Sequence, residues 1–209
     1  MQTFADRSLA ARAAADALAE ALRARLTSRE RAALAVSGGT TPAPTFELLA
    51  EADLPWDRVD VTLTDERDVA VDDAASNEGM LRRTLLRGSA TAARFVPLEV
   101  DALATLTDPF AAVLLGVGED GHFASIFPDA ADLPTLLDAD DPNPCRAVRT
   151  AASPHPRRTL TLSRLLASDR IILLAFGEAK RAVLEQPGNR PVATLLAQTH
   201  PPVHVFWAA

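Results

Sequence analysis

The chain has 209 residues, of which 48% are hydrophobic and 23% charged, a composition typical of a globular protein with one well-filled core. Its formal net charge of −7 argues against nucleic acid or an anionic membrane surface as the main partner, although a few local cations can still bind a small anion. Cys145 is the only cysteine, which excludes an intrachain disulfide and a thiolate metal cluster.

Nothing in the sequence indicates export or membrane insertion. Residues 1–6 contain no basic segment followed by an apolar run, so no signal peptide is visible. The longest apolar run, Ile171–Phe176, is too short to span a bilayer. We therefore expect a cytoplasmic protein.

Apolar runs bounded by turn residues alternate with helical patterns along the whole chain. The first half predicts, in order, a helix over 3–26, a strand over 33–36, a helix over 41–52, a strand over 59–64, a helix over 76–87, and strands over 95–98 and 111–117. The second half predicts strands over 147–149, 159–162, 171–176 and 203–207, with helices over 178–186 and 191–198.

Several of these strands are apolar at every position. Val113–Leu115 and Ile171–Leu174 do not alternate with polar residues, as expected of strands that are buried on both faces. The sequence therefore predicts one α/β domain over residues 1–209, with a mostly parallel sheet flanked by helices on both faces. The Pro- and Asp-rich stretch Asp138–Pro144 is expected to be a surface loop within that domain.

The first stretch with chemical potential is Ser37–Pro42, directly after a buried strand. Its two glycines allow a tight turn and close approach of a ligand to the backbone. Thr40 or Thr41 can cap the following helix, with Pro42 in its first turn, and a phosphate can then bind the N–H groups there. No Gly-Lys-Ser/Thr follows, so the loop is not a Walker A motif. An ordinary strand-to-helix turn explains the same residues equally well.

The second stretch, Gly116–His122, also follows a strand and is spelled like the dinucleotide motif G-x-G-x-x-G. That motif normally opens the first βαβ unit and needs an acidic residue at the end of the next strand, whereas here a loop follows. A nucleotide site is therefore disfavoured. We expect the glycines instead to hold Asp120 and His122 at the carboxyl end of a central strand, where α/β sheets bind their ligands.

His122 is the best candidate for a general base, since a neutral imidazole can take a proton from water near neutral pH. The other three histidines, His155, His200 and His204, lie beside prolines in predicted loops or edges. A hydrogen-bonded structural histidine remains the alternative for His122. No zinc motif or nucleophile elbow is present, and Ser125 is interpreted as a residue at a helix start rather than a nucleophile.

Further charged residues follow other predicted strands. Asp65-Glu66-Arg67 ends the strand at 59–64 and precedes Ser76-Asn77, while Arg157-Arg158 and Lys180 lie later in the chain. Their cations could surround a phosphate in an otherwise acidic protein. A solvated loop or helix surface is the alternative interpretation for each of them.

Taken together, these blocks resemble one family, the glucosamine-6-phosphate isomerases and 6-phosphogluconolactonases, and most closely its lactonases. The resemblance runs over essentially the whole chain in order and spacing, and it is most specific in residues 116–128. It implies a Rossmann-like domain and hydrolysis of a phosphorylated sugar lactone in the pentose phosphate pathway, without a metal or other cofactor. We further expect a monomer or weak homodimer.

The resemblance also implies roles for individual residues. His122 would be the general base that activates water, with Asp120 as its catalytic neighbour. The residues that would surround the substrate's phosphate and hydroxyls are Ser37, Gly38, Gly39, Thr40, Asp65, Arg67, Arg157 and Lys180. Arg158 stays open as the alternative to Arg157, and Arg67 could instead hold a neighbouring loop.

The chain departs from the family pattern at a few positions. Glu119 and Phe123 replace the usual Pro and Thr beside His122, and Ala70 replaces a common Pro. The segment from Glu99 to Pro109 is short, which leaves room only for a minimal crossover helix. None of these changes touches a residue that the resemblance assigns to chemistry.

Two rival functions remain. The first is an amino-sugar-phosphate deaminase or isomerase on the same fold, which by resemblance would carry a Glu where this chain has Phe127. The second is a regulator that binds a sugar phosphate without chemistry. Such a regulator would normally carry a DNA-binding helix-turn-helix, for which the first 30 residues leave no room.

Overall fold

The computed structural model describes all of the residues, Met1–Ala209. The strands are β1 (Gln2–Thr3), β2 (Ala32–Val36), β3 (Val59–Leu63), β4 (Asp65–Arg67), β5 (Arg94–Phe95), β6 (Ala112–Leu115), β7 (Cys145–Val148), β8 (Arg157–Leu160), β9 (Ile171–Phe176) and β10 (Val203–Ala208). The helices are α1 (Arg7–Leu26), α2 (Ala43–Leu49), α3 (Asn77–Thr84), α4 (Val100–Leu103), α5 (Leu133–Leu136), α6 (Leu162–Leu166), α7 (Glu178–Glu185) and α8 (Pro191–Leu196).

The main sheet has seven strands in the order β1-β10-β9-β6-β2-β3-β5, and every neighbouring pair is parallel. Its central strands are buried on both faces, so successive residues point into two separate cores. Leu34 packs with α1, α2 and α3, whereas Ala33 and Ala35 pack with α7 and α8. The prediction of an α/β fold with a mostly parallel sheet between helices is confirmed.

Most predicted elements are present with shorter bounds. The first helix begins at Arg7 rather than residue 3, because the Asp6 side chain caps it by accepting from Leu9 N–H, and Gln2–Thr3 pair with β10 as a strand. The crossover after Glu99 contains only the single turn of α4, as expected from its length. None of the helices combines the length and the hydropathy that a membrane-spanning helix needs.

The strands predicted near residues 148 and 160 are present, but they lie outside the main sheet. β7 and β8 do not join the main sheet but form a separate antiparallel sheet in the order β4-β8-β7. β4, which was not predicted, contributes Asp65–Arg67 to this small sheet. Leu160 and Val148 pack into the core on the α7 and α8 face of the main sheet. These contacts fix the small sheet at the rim of the main sheet.

The order of the main sheet creates a crevice at one place. The chain passes outward from β2 through β3 to β5, then returns to the other side of β2 as β6 and continues through β9 to β10. The loops after β2 and β6 therefore diverge at the carboxyl ends of two adjacent strands. This is the topological switch point at which α/β proteins bind ligands.

Candidate active site

A cleft of about 270 Å³ opens at this switch point. Its lining contains His122 and all eight residues that were expected to contact substrate: Ser37, Gly38, Gly39, Thr40, Asp65, Arg67, Arg157 and Lys180. Further residues of the two glycine-rich loops also line it, together with Asn77 and Ala124, which were not assigned to the site from sequence. Asp120 does not line the cleft and contacts it through His122.

The loop after β2 approaches the cleft with its backbone. At Gly38 a Cβ atom would lie 2.0 Å from Oδ1 of Asn77, so no larger residue fits there. Gly39 has φ +96°, a conformation that favours glycine. α2 begins after Pro42 without a side-chain cap, so the prediction that Thr40 or Thr41 caps this helix was wrong.

His122 is held by the residue two positions before it. Its Nδ1 lies 2.6 Å from Oδ1 of Asp120, and its backbone N–H donates to the same oxygen at 3.1 Å. A Cβ at Gly118 would lie 2.2 Å from this Nδ1, so the turn requires glycine. Because a carboxylate only accepts, Nδ1 carries the hydrogen and Nε2 keeps its lone pair.

The loop around His122 does not have the geometry of a dinucleotide site. No helix begins directly after Gly121, and the next one, α5, starts at Leu133 and has four residues. The backbone instead forms a short turn in which Phe123 bridges to Ile126. A pyrophosphate would therefore find no helix N-terminus here.

Phe127 lies between two functional candidates. Its ring centroid is 4.2 Å from that of His122, with 30° between the planes, and the Arg157 guanidinium lies 5.3 Å from the centroid. Phe127 is almost fully buried, so its ring holds the imidazole of His122 in a fixed position in the cleft. In the sequence, Phe127 stands out only as the position where the deaminases would carry a carboxylate.

Asp65 is 5% exposed and is the most enclosed charged residue of the cleft. Its Oδ2 accepts from the Ser125 hydroxyl at 2.6 Å and from Nη1 of Arg157 at 3.4 Å. Its backbone carbonyl accepts from Nδ2 of Asn77 at 2.7 Å. Ser125 belongs to no helix, so its interpretation as a helix-start residue was wrong.

The Asp-Glu-Arg segment is a strand, and its residues alternate between two surroundings. Glu66 accepts from the backbone N–H groups of Asn77 and Glu78 at 2.8 and 2.7 Å, which satisfies the start of α3. Arg67 lines the cleft and donates from Nη1 to the Ala75 carbonyl at 2.5 Å, while its Nε has no partner. Arg67 thus both borders the cleft and holds the neighbouring loop.

Two arginines face each other across the small sheet. In the register of β4 and β8, Arg67 lies directly opposite Arg157. Burial lowers the pKa of Arg157, and the charge of Arg67 lowers it further, although Asp65 opposes both effects. Like charges directly opposite each other are unfavourable unless an anion lies between them.

Arg158 points away from the cleft, because neighbouring residues of a strand face opposite sides. It donates to the Leu98 carbonyl at 3.1 Å and lies 3.7 Å from Glu99. It lines a different cavity, of about 340 Å³, that also borders Arg157 but contains neither His122 nor Lys180. The larger cavity is therefore separate from the candidate base.

Lys180 enters the cleft from the first turn of α7, directly after Gly177, whose φ is +89°. Its ammonium group makes no ion pair within 4.0 Å and no hydrogen bond with another residue. Burial lowers the pKa of Lys180, and the charge of Glu119 partly counters this effect. An unpaired, half-buried ammonium beside Ser37–Thr40 is a ready partner for an anion.

The cleft combines one imidazole, whose Nε2 has no hydrogen-bond partner, with three cations and two glycine-rich loops. No group of three or more His, Cys, Asp or Glu side chains is arranged to hold a metal ion. The arrangement can take a proton from water while binding an anionic, hydroxylated molecule.

Comparisons with known proteins show which family this chain resembles. Residues 5–206 match the family model described as glucosamine-6-phosphate isomerases/6-phosphogluconolactonase. The chain is 41% identical to the 6-phosphogluconolactonase of Caulobacter vibrioides over 224 residues, covering 100% of this chain and 97% of that one. It is also 41% identical to the 6-phosphogluconolactonase of Mesorhizobium japonicum over 222 residues, covering 98% and 93%.

Solved structures extend the comparison to the fold. The crystal structure of a 6-phosphogluconolactonase from Shewanella baltica superposes with a TM-score of 0.95 at 35% identity, covering 100% of this chain and 97% of that one. A monomeric glucosamine-6-phosphate deaminase superposes with a TM-score of 0.78 at 18% identity, covering 99% and 96%. The second similarity concerns the fold alone.

Proposed function

The chain belongs to the glucosamine-6-phosphate isomerase/6-phosphogluconolactonase family, and on that premise we propose that it hydrolyses 6-phospho-D-glucono-1,5-lactone to 6-phospho-D-gluconate, the lactonase step of the pentose phosphate pathway. The observation that carries the proposal is the His122–Asp120 pair, with Nδ1 bound at 2.6 Å and Nε2 left free beside three cations.

In the proposed reaction, Nε2 of His122 takes a proton from water as the water oxygen attacks the lactone carbonyl carbon. Asp120 stabilises the imidazolium that forms and keeps the ring in one tautomer. The tetrahedral intermediate then collapses, the bond from the carbonyl carbon to the ring oxygen breaks, and the ring oxygen takes the proton to become a hydroxyl. Backbone N–H groups of the glycine loops are candidates to stabilise the oxyanion.

The cations are proposed to anchor the substrate. Arg67 and Arg157 repel each other across the small sheet, and Lys180 has no partner, so an anion relieves an unfavourable arrangement on both sides of the cleft. Ser37, Gly38, Gly39, Thr40 and Asp65 are proposed to contact the phosphate or sugar hydroxyls. Fixing the ring in this way turns water attack into a reaction of oriented partners.

Phe127 argues against the deaminase alternative. That reaction was expected to need a carboxylate at this position, and here a buried aromatic ring packs on His122 instead.

We further propose that residues 1–209 form one domain and that the protein acts in the cytoplasm as a monomer or weak homodimer. We propose that it needs no metal or cofactor and binds neither nucleic acid nor a membrane.

The test is to incubate purified protein with freshly formed phosphogluconolactone and to follow acid release against the spontaneous rate. Acceleration that survives EDTA supports the proposal, and wild type that matches the spontaneous rate contradicts it. In parallel, 6-phosphogluconate at about 100 times its Kd should stabilise the protein by roughly 2.7 kcal/mol, whereas NAD should not. Stabilisation by NAD alone would contradict the assignment of both glycine loops.

A further inference from the structure

Ser125 occupies an unusual place between two residues of the cleft. It is 0% exposed, its hydroxyl donates to Oδ2 of Asp65 at 2.6 Å, and its Oγ accepts from Nη1 of Arg157 at 3.3 Å. The direct contact between Asp65 and Arg157 is longer, at 3.4 Å. The shortest hydrogen bond among these three residues is therefore the one from Ser125 to Asp65.

The backbone around Ser125 supports the same interpretation. Ala124, the residue before it, has φ +48°, a left-handed conformation that is costly for alanine. The N–H of Ser125 donates to the Thr159 hydroxyl at 3.2 Å, which fixes the residue to β8, two positions from Arg157. A backbone that is strained and also tied down suggests that the direction of this side chain matters for function.

We propose that Ser125 is a positioning residue, which joins Asp65 of β4 and Arg157 of β8 into one rigid substrate-binding unit. The inference rests on the proposed function, because the unit is assigned to the phosphorylated lactone. Ser125 itself does not line the cleft, so it acts through its two neighbours rather than by touching substrate.

Removing the hydroxyl leaves Arg157 with one hydrogen-bonding side-chain partner other than Asp65, the Ser153 hydroxyl, which accepts from Nε at 2.9 Å. The Nη1 end of the guanidinium is then held only by the longer contact with Asp65. In the variant, the side chains of Asp65 and Arg157 must therefore become ordered as substrate binds. This ordering costs binding free energy, so it weakens binding more than it slows the chemical step.

The experiment is a double-mutant cycle of Ser125→Ala and Arg157→Ala, read by KM, kcat and the Kd for 6-phosphogluconate. Ser125→Ala should raise KM and Kd about tenfold and change kcat less than about threefold, as for loss of a hydrogen bond to a charged group. In the Arg157→Ala background the same change should raise KM less than about threefold, because coupled residues are not additive.

Thr62→Val is the matched control, because its hydroxyl is also fully buried but has no partner and lies outside the cleft. It should leave KM unchanged even if it alters thermal stability. Ser125→Thr, which restores the hydroxyl, should return KM toward the wild-type value.

The outcomes separate the two proposals. Wild type that neither hydrolyses the lactone nor binds 6-phosphogluconate would overturn the proposed function and this inference with it. Active wild type with a Ser125→Ala variant of unchanged KM and Kd, or with the same KM increase in both Arg157 backgrounds, would overturn the role of Ser125 alone.

Discussion

The two ends of the parallel sheet both carry clustered charges, and the clusters differ in how completely the charges are paired. At the amino ends of β3 and β5, Asp60 is 3% exposed and accepts from Arg31 at 2.6 Å and from Arg94 at 2.7 Å. At the carboxyl ends, Lys180 has no partner and Arg157 reaches Asp65 only at 3.4 Å.

This contrast shows how one scaffold separates stability from binding. Charged side chains that pair with each other within the fold interact little with a ligand. Charged side chains without such a partner destabilise the free protein, and an anion that binds them offsets this cost. Burial alone would raise the pKa of Asp60, but hydrogen bonds from Arg31 and Arg94 outweigh burial and hold it below the ordinary value. The amino end is thus a structural cluster, whereas the carboxyl end is the one that we propose binds a ligand.

The largest expected effect tests chemistry at the carboxyl end. His122→Asn should lower kcat about 10²- to 10⁴-fold, the usual cost of losing a general base, with a much smaller change in substrate binding. Steady-state kinetics on the phosphorylated lactone would measure both. Turnover near that of wild type would make His122 a structural residue and leave the cleft without a base.

The second effect concerns binding. Arg157→Ala and Lys180→Met should each raise KM by roughly 10- to 100-fold, because each removes a charge-assisted contact of about 1.5–3 kcal/mol. Arg158→Ala is the matched control. It should change KM less than twofold, because the Arg158 side chain points away from the cleft.

A lactone without phosphate separates the roles of these cations. For a residue that contacts the phosphate, the loss should largely disappear on that substrate. An equal loss on both lactones would mean that the residue orients the sugar ring.

The third effect is at the amino end and should leave KM unchanged. Asp60→Asn should lower the free energy of unfolding by about 1–3 kcal/mol, because two arginines lose their shared partner. Since the pKa of Asp60 is lowered in the folded state, its contribution is present above the unfolded value of about 4 and is lost as the pH falls through the lower folded value.

Chemical denaturation from pH 7 to pH 2 would measure this effect. The difference between wild type and Asp60→Asn should shrink as the pH falls below about 4. A variant that loses activity without losing stability would contradict the division between the two ends.

The smallest effect has the opposite sign. Lys180→Met should raise the free energy of unfolding at pH 7 by about 0.5 kcal/mol, since it removes a cation whose burial is unfavourable. The lowered pKa of Lys180 means that this penalty is present at neutral pH and is relieved as the pH rises through the folded value. The stability advantage of the variant should therefore decrease in alkaline buffer, and a destabilised variant would show that Lys180 has a structural partner.

The sequence predicts the main sheet because its signals are local. Short apolar runs such as Ile171–Phe176, bounded by turn residues, indicate buried strands. Gly116–His122 follows such a strand, which puts its polar residues at the carboxyl edge of the sheet. The loops after β2 and β6 were expected at one edge of the sheet, and both line one cleft there, because parallel strands share that edge.

The small sheet could not be predicted because its signals are not local. Asp65–Arg67 has the composition of a solvated turn, and only its pairing with Arg157–Leu160 makes it a strand. Ser125 was missed for the same reason, since its partners are 60 and 32 residues away in the chain. The sequence predicts β7 and β8 as strands, but it carries no local signal for their pairing with β4 or for the contacts of Ser125.

The position of the small sheet has a consequence for amide hydrogen exchange. Arg67 and Arg157 lie on β4 and β8, while β7 pairs with β8 on the other side and contributes no residue to the lining of the cleft. A ligand that ties β4 to β8 must also suppress local opening of the whole three-stranded unit. Bound 6-phosphogluconate is therefore expected to slow deuterium uptake at Cys145–Val148, well beyond the residues it touches.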